Sequence, residues 1–200
     1  MHQRCLVVGS GTGLLAVQLA RNGAAHVHAV DIEPAAVANT LTNAFRNGVA
    51  ERVTATALDL YPWVPEERYD IIVASLDQVP ADPAAQDTTH RQVDFWGRNL
   101  LDHLIGLLPE ALDDDGVAYV VQLSIVGEQR TVERLDHLGY DVRIADYAVV
   151  PLETVVEHPS RQIEHVELHS DAYHLTVGDQ DMVVVYLLEI TKAAARGGPG

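Results

Sequence analysis

The sequence predicts an α/β fold: a doubly wound, mostly parallel seven-stranded sheet with an antiparallel last strand. Three observations predict it. Short apolar runs alternate with stretches of helical spacing along the chain, the signature of strands joined by crossover helices. The first run leads straight into a glycine-rich turn and then a helical segment. The last two runs are joined without a clear long helix, which suits a strand that returns antiparallel.

The elements follow in order. Cys5–Gly9 is a buried strand, and Leu14–Asn22 a helix stopped at Gly23. His26–Asp31 is the second strand. Pro34 then stands where a helix tolerates proline, in its first turn, and Ala35–Asn47 follows as a helix ended by Gly48. Arg52–Asp59 and Tyr69–Ser75 are the third and fourth strands. Leu76–His90, rich in Asp, Pro, Ala and Thr, reads as a loop, and Val93–Leu112 as a long amphipathic helix. A turn at Asp113–Gly116 precedes Val117–Ile125, the most apolar strand. Glu128–Leu138 is a helix stopped by Gly139, Asp141–Val150 the sixth strand and Met182–Ile190 the seventh.

Residues 1–192 are expected to form a single domain. Within it, residues 151–181 are too long for a plain connection and are expected to form a lid, with helical spacing at Ser160–Leu168. Residues 193–200 are expected to be a disordered tail.

Composition narrows the function classes. The chain has 200 residues, 48% of them hydrophobic and 21% charged, which is globular composition rather than that of a disordered chain. No apolar run reaches the ~18 residues of a spanning helix, and no secretory signal is visible. Cys5 is the only cysteine, so an internal disulfide is excluded and a cytoplasmic protein expected. Thirteen basic residues stand against 29 acidic ones, a net charge of −16. Residues 1–50 carry +1 and the following fifties −5, −7 and −5. So acidic a chain is expected to avoid nucleic acid and membrane, leaving the near-neutral first quarter for a cofactor.

The strongest chemical signal is Gly9-Ser10-Gly11-Thr12-Gly13, between the first strand and the first helix. Glycines there permit a tight turn and a close ligand approach, and the helix start offers unpaired N–H groups. A dinucleotide loop wants Gly-x-Gly-x-x-Gly, but position 14 is Leu. Glycines at 9, 11 and 13 instead resemble the loop of class I S-adenosylmethionine-dependent methyltransferases. The resemblance spans about residues 4–190 and is most specific in the cofactor half. It implies S-adenosylmethionine as cofactor, with Gly9, Ser10, Gly11 and Gly13 in its loop. Asp31, ending the second strand, is the implied ribose acceptor, and Ile32 the apolar partner of adenine. Asp59 and the Leu60 amide are implied at the adenine amino edge. A carboxylate only accepts, whereas ribose hydroxyls and an exocyclic amine can donate.

Tyr69–Ser75 is similar to the strand leading to the Asn-Pro-Pro-Tyr motif of amino-methylating members. Aligned on it, Ser75 takes the Asn position, Leu76 and Asp77 replace the prolines, and Gln78 replaces the aromatic. Ser75 is thus expected near cofactor and acceptor alike. Asp77 is the expected catalytic acceptor or base, oriented by Ser75 and Gln78, with His158 or His165 next in line. Gly97–Leu101 also looks like the segment after that motif in the small-domain branch. Two features depart from the family: Val7 stands where an acidic residue is usual, and the chain opens directly on the first strand. A second subunit of a homodimer is therefore one expected cover for the cofactor.

The expected function is methyl transfer to an N or O atom of a small metabolite in specialised metabolism. The alternatives are a NAD-linked oxidoreductase and a cofactor-binding relative without methyl transfer. His165 and His169 have helical metal-ligand spacing, but Val166 stands where a zinc protease motif has Glu, so no metal is expected. Trp63, Trp96, Tyr147 and Tyr173 read as packing residues, and Cys5 as a small buried hydrophobe.

Overall fold

The computed structural model describes residues 3–81, 94–156 and 161–194. Eight strands form one sheet: β1 (Arg4–Val8), β2 (His26–Asp31), β3 (Val53–Ala57), β4 (Tyr69–Ala74), β5 (Leu112–Leu123), β6 (Tyr140–Pro151), β7 (Leu175–Val177) and β8 (Gln180–Lys192). The helices are α1 (Leu14–Arg21), α2 (Pro34–Arg46), α3 (Asn99–Ala111), α4 (Gln129–His137) and α5 (Arg161–His169). Strand order is β3-β2-β1-β4-β5-β8-β6, with β7 added onto β8. The pairs among β1 to β5 are parallel, and β8 runs antiparallel to β5, β6 and β7.

The sheet separates two apolar layers. On one face Cys5, Val7, Val27, Ala29 and Val53 meet Ala16, Val17, Ala20 and Ala44 of α1 and α2. The small helical side chains let these helices lie close to the strands. On the other face Leu6, Val8, Ile72, Ala118 and Val120 meet Leu101, Leu104, Ile105 and Leu108 of α3 and Leu135 of α4. Alternation along β1 decides which residue goes to which layer. Both layers exclude water, and each fully buried Leu or Ile contributes ~1.5–3 kcal/mol.

Three features differ from the sequence expectations. β7 is an additional strand, a two-residue hairpin partner of β8 turned at Gly178 (φ +68°). Its three residues are all exposed, so they carry no alternation to read. The expected turn at residues 113–116 is instead an irregularity inside β5: Tyr69 pairs with Leu112 and Ile71 with Val117. Finally, α3 begins at Asn99, later than the apolar spacing suggests. Gly97 (φ +70°) breaks the helix path, and Asp94 caps its start by accepting from the Trp96, Gly97 and Asn99 amides. Val93, the first residue of the expected helix, and His158 lie outside the described residues, as does most of the expected tail.

Described residues of the segment 151–181 pack on the rest of the chain. Leu152, Val156 and Ile163 belong to the α3-side core. Gln162 on α5 donates to the Phe95 carbonyl at 2.9 Å. Tyr173 and Tyr186 join hydroxyl to hydroxyl.

A buried arginine ties this half together. Arg98, 3% exposed, donates to Asp102 Oδ1, to the Val126 and Gly127 carbonyls and to Thr131 Oγ1 at 2.8–3.1 Å. Its charge is fully met by partners, which is what makes such burial tolerable.

Candidate functional site

The order β3-β2-β1-β4 places the C-terminal ends of four parallel strands side by side. In open α/β sheets that is where ligands bind. Gly9–Gly13, Asp59 and Ser75 sit just past those ends, and Asp31 is the last residue of β2.

The three glycines of the first loop have three separate reasons to be glycine. All have positive φ. At Gly9 a Cβ would stand 2.5 Å from the Ser75 carbonyl oxygen, so its absence lets β1 and β4 end in contact. At Gly13 a Cβ would meet Thr40 Cα at 2.6 Å, so its absence lets α2 approach α1. At Gly11 a Cβ would meet nothing within 4 Å: no protein group claims that space, and it is open to a ligand. The loop is held from behind by Asn43, which donates to the Thr12 carbonyl at 2.8 Å. Thr40 donates to the Ser10 hydroxyl at 3.1 Å. Ser10 is 6% exposed, so its side chain braces the loop from inside.

Asp31 accepts from the Gly11 amide at 2.9 Å through one oxygen and from the Glu33 amide at 3.0 Å through the other. A carboxylate has about four acceptor positions, so both oxygens keep capacity for two hydroxyl donors. The two amides fix its orientation. Ile32 beside it is 58% exposed, an apolar surface with room for a flat ring.

Asp59 is exposed and accepts from the Tyr61 amide at 3.0 Å. Leu60 is 7% exposed, and its carbonyl meets His103 Nε2 of α3 at 2.9 Å. The Tyr61 and His103 rings lie 4.9 Å apart. His103 was not singled out by sequence reasoning: its partners lie some forty residues away, and nothing local marks it.

On the loop after β4, Ser75 and Asp77 are exposed. Gln78 is turned inward, 1% exposed. It donates to the Val121 carbonyl at 2.6 Å and accepts from the Leu123 amide at 3.1 Å. Its amide is thereby committed to the β5 backbone and fixes where Ser75 and Asp77 stand.

The His165 and His169 rings stack at 4.3 Å. His174 Nδ1 pairs with Glu167 at 2.6 Å. Trp63 and Tyr173 pack on the core, as expected. Trp96 packs instead on Phe95 and His165, and Tyr147 is 66% exposed on the edge strand β6, so neither fills the core. Burial pushes the Cys5 thiol up to about 11, helped by the Asp70 charge, which suits an inert core residue.

Acidic residues stand at both edges of the sheet. At the N-terminal edge Arg4, Arg68 and Lys192 form ion pairs with Glu67, Asp113 and Asp114. At the cofactor edge lie Asp31, Glu33, Asp59, Asp77, Asp94, Glu153 and Glu164, and Arg98 and Arg130 there both pair with Asp102.

Fold and site together define a nucleotide-cofactor protein of the doubly wound class. Comparison with known proteins then supplies the family. Residues 2–79 match the family model of ribosomal protein L11 methyltransferase (PrmA). A putative protein N5-glutamine methyltransferase of Methanocaldococcus jannaschii is 32% identical over 155 residues, 76% of this chain and 77% of that protein. A tRNA1(Val) (adenine(37)-N6)-methyltransferase of Vibrio cholerae is 34% identical over 128 residues, 62% of this chain. The chain spans only about half, 52%, of that relative.

Among solved structures, the ribosomal protein L11 methylase of Lactobacillus delbrueckii subsp. bulgaricus superposes with a TM-score of 0.59 at 17% identity, covering 97% of this chain and 72% of the other. A methyltransferase of Geobacter sulfurreducens holding S-adenosyl-L-homocysteine gives 0.56 at 13% identity, covering 95% and 84%. The chain belongs to the class I S-adenosylmethionine-dependent methyltransferases, and S-adenosylmethionine is its cofactor.

The relatives correct one expectation and displace another. They are named for protein and tRNA substrates, so a small-molecule acceptor with nucleic acid excluded does not stand. That expectation leaned on whole-chain charge, which averages over a surface and does not describe the ground around one site. The NAD-linked alternative falls with the family match. Among the described residues no helix is long and apolar enough to cross a membrane.

Proposed function

We propose that the chain methylates the side-chain amide nitrogen of a protein. The single observation that carries this reading is the loop after β4. Ser75 and Asp77 are exposed at the cofactor edge, beside Gly9 and two strands from Asp31, while Gln78 is locked onto β5.

The residues fit the cofactor. Asp31 would hold the ribose, and Ile32, Asp59 and the Leu60 amide the adenine. The open backbone at Gly11 would allow close approach. When bound, the cofactor supplies a methyl group on a sulfonium, a good leaving group. The protein's part is then mainly positioning. An amide nitrogen is a poor nucleophile because its lone pair is delocalised. Asp77, accepting a hydrogen bond from the N–H, would orient it and take up the proton as the new bond forms. Ser75 would hold the carboxamide in the same plane.

The archaeal relative, with its high mutual coverage, supports a protein acceptor, and the acidic cofactor edge suits a cationic protein surface better than a phosphate backbone. An adenine amino group in tRNA is the second reading. It is favoured by the Vibrio relative and asks the same of the loop, since that nitrogen too is flat and delocalised.

Transfer of a labelled methyl group to glutamine-containing peptides, with a tRNA pool in parallel, tests the choice. Label in peptide that is lost in Asp77→Asn, by ~10²–10⁴ in the chemical step with little change in cofactor affinity, is the expected result. Label confined to tRNA would replace the first reading by the second.

A further inference from the structure

Next to the Ser75–Asp77 loop stands an aromatic cluster that neither the cofactor nor the acceptor loop accounts for. The Phe95 and Trp96 rings meet edge to face at 5.2 Å, and His165 meets Phe95 the same way at 5.2 Å. All three are only partly buried. Phe95 and Trp96 pack against neither core layer, unlike Trp63 and Tyr173.

The cluster is fixed from both sides. The Ala81 amide donates to the Asp94 carbonyl at 2.9 Å. At Gly97 a Cβ would stand 2.6 Å from Pro80 N, so the turn lies directly on the end of the acceptor loop. Gln162 of α5 holds the Phe95 carbonyl from the other side. An aromatic cluster, its rings set edge to face, is thus fixed to the loop that would receive the acceptor. The loop itself, Ser75 to Gln78, offers no ring of its own.

We infer that Phe95, Trp96 and His165 form the platform on which a cationic protein segment lies while presenting its amide to Ser75 and Asp77. The inference rests on the amide-methylation reading and adds the recognition element to it. Partly exposed rings suit the carboxamide and aliphatic stems of such a segment. Asp77 and Glu164, exposed on two of the pieces that frame the platform, favour cations over phosphates.

The test uses the whole chain with S-adenosylhomocysteine bound, titrated with a short lysine-rich peptide carrying one glutamine. A single-stranded adenine-containing oligonucleotide is the second probe. Tryptophan emission should change saturably with the peptide. In Trp96→Leu the change should vanish, since Trp63 remains as an internal reference away from the cluster. In turnover, Trp96→Leu should raise KM for the peptide about three- to tenfold and leave kcat within about twofold, with S-adenosylhomocysteine affinity unchanged. His165→Asn, the milder change, should show the same KM effect if Trp96→Leu folds poorly.

Unaltered peptide binding and KM in both variants would overturn the platform. An emission change with the oligonucleotide and none with the peptide would overturn it in favour of RNA. Asp77→Asn separates the two readings. Lost transfer with the emission change intact supports the platform. Full transfer with that change intact removes Asp77 from the chemistry and still supports the platform.

Discussion

At the scale of single residues, the glycines of the first loop make a sharp contrast. Gly9 and Gly11 share a left-handed backbone, yet one is closed in by Ser75 and the other faces open space. Gly9→Ala should therefore lower stability by ~2 kcal/mol or more, adding a backbone collision to the left-handed cost. Gly11→Ala should cost only ~1–2 kcal/mol but weaken S-adenosylhomocysteine binding more. Urea melts and calorimetry on the two variants would show opposite orderings. A larger stability loss at Gly11 would contradict the assignment.

Asp31→Ala should reduce cofactor affinity about ten- to hundredfold by leaving ribose hydroxyls unpaired. The same substitution frees the Gly11 and Glu33 amides, so calorimetry should be paired with a melting curve. Unchanged affinity would move the ribose elsewhere.

At the scale of elements, the clearest test is the start of α4. Asp171 accepts from the Glu128 and Gln129 amides at 2.7 and 2.6 Å, satisfying helix N–H groups that lack partners within the helix. At Gly127 a Cβ would meet Asp171 Oδ1 at 2.4 Å, so the carboxylate sits directly on that glycine. Asp171→Ala should cost ~1–2 kcal/mol, while Asp171→Asn should recover part of it. Denaturant titration would show it, and equal losses in both would mean the cap is not the cause.

Elements were legible in the sequence where one periodicity ruled. β1, β2 and β4 read as strands because they are short, largely apolar runs, and α1 and α2 read as helices because their apolar spacing ended at Gly23 and Gly48. β7 was not, being three exposed residues whose strand state exists only through β8. The placement of the loop glycines, Asp31 and Asp59 next to strand ends was legible, because each follows an apolar run in the chain. The platform was not: its rings come from separate segments and meet only through tertiary contacts. Gln78 shows the same limit from the other side. Its position in the chain put it beside Asp77, and only the partners on β5 tell that its amide is bonded to that strand's backbone.

At the scale of the whole molecule, the pH response follows from groups held neutral by burial. The Cys5 thiol is pushed from an ordinary 9.0 to about 11, and the Tyr69 hydroxyl, chiefly by burial, to about 12. Between pH 9 and 11 the unfolded chain has released the thiol proton and the folded chain still holds it. Unfolding therefore releases a proton, and stability falls as pH rises through that window. The thiol share is on the order of 2 kcal/mol. Cys5→Ala should flatten the fall in urea midpoint between pH 8 and 11, leaving the part due to the tyrosines that burial also raises, Tyr69 and Tyr186 among them. An unaltered slope would mean that Cys5 ionises freely in the folded state.

The net charge of −16 also sets how fast a partner arrives. A cationic peptide is drawn toward so acidic a chain before contact, and only the approach depends on the reach of the field. Raising ionic strength shortens that reach to ~10 Å at 0.1 M. Stopped-flow measurements should then find the association rate for the peptide falling steeply with salt and its dissociation rate almost constant.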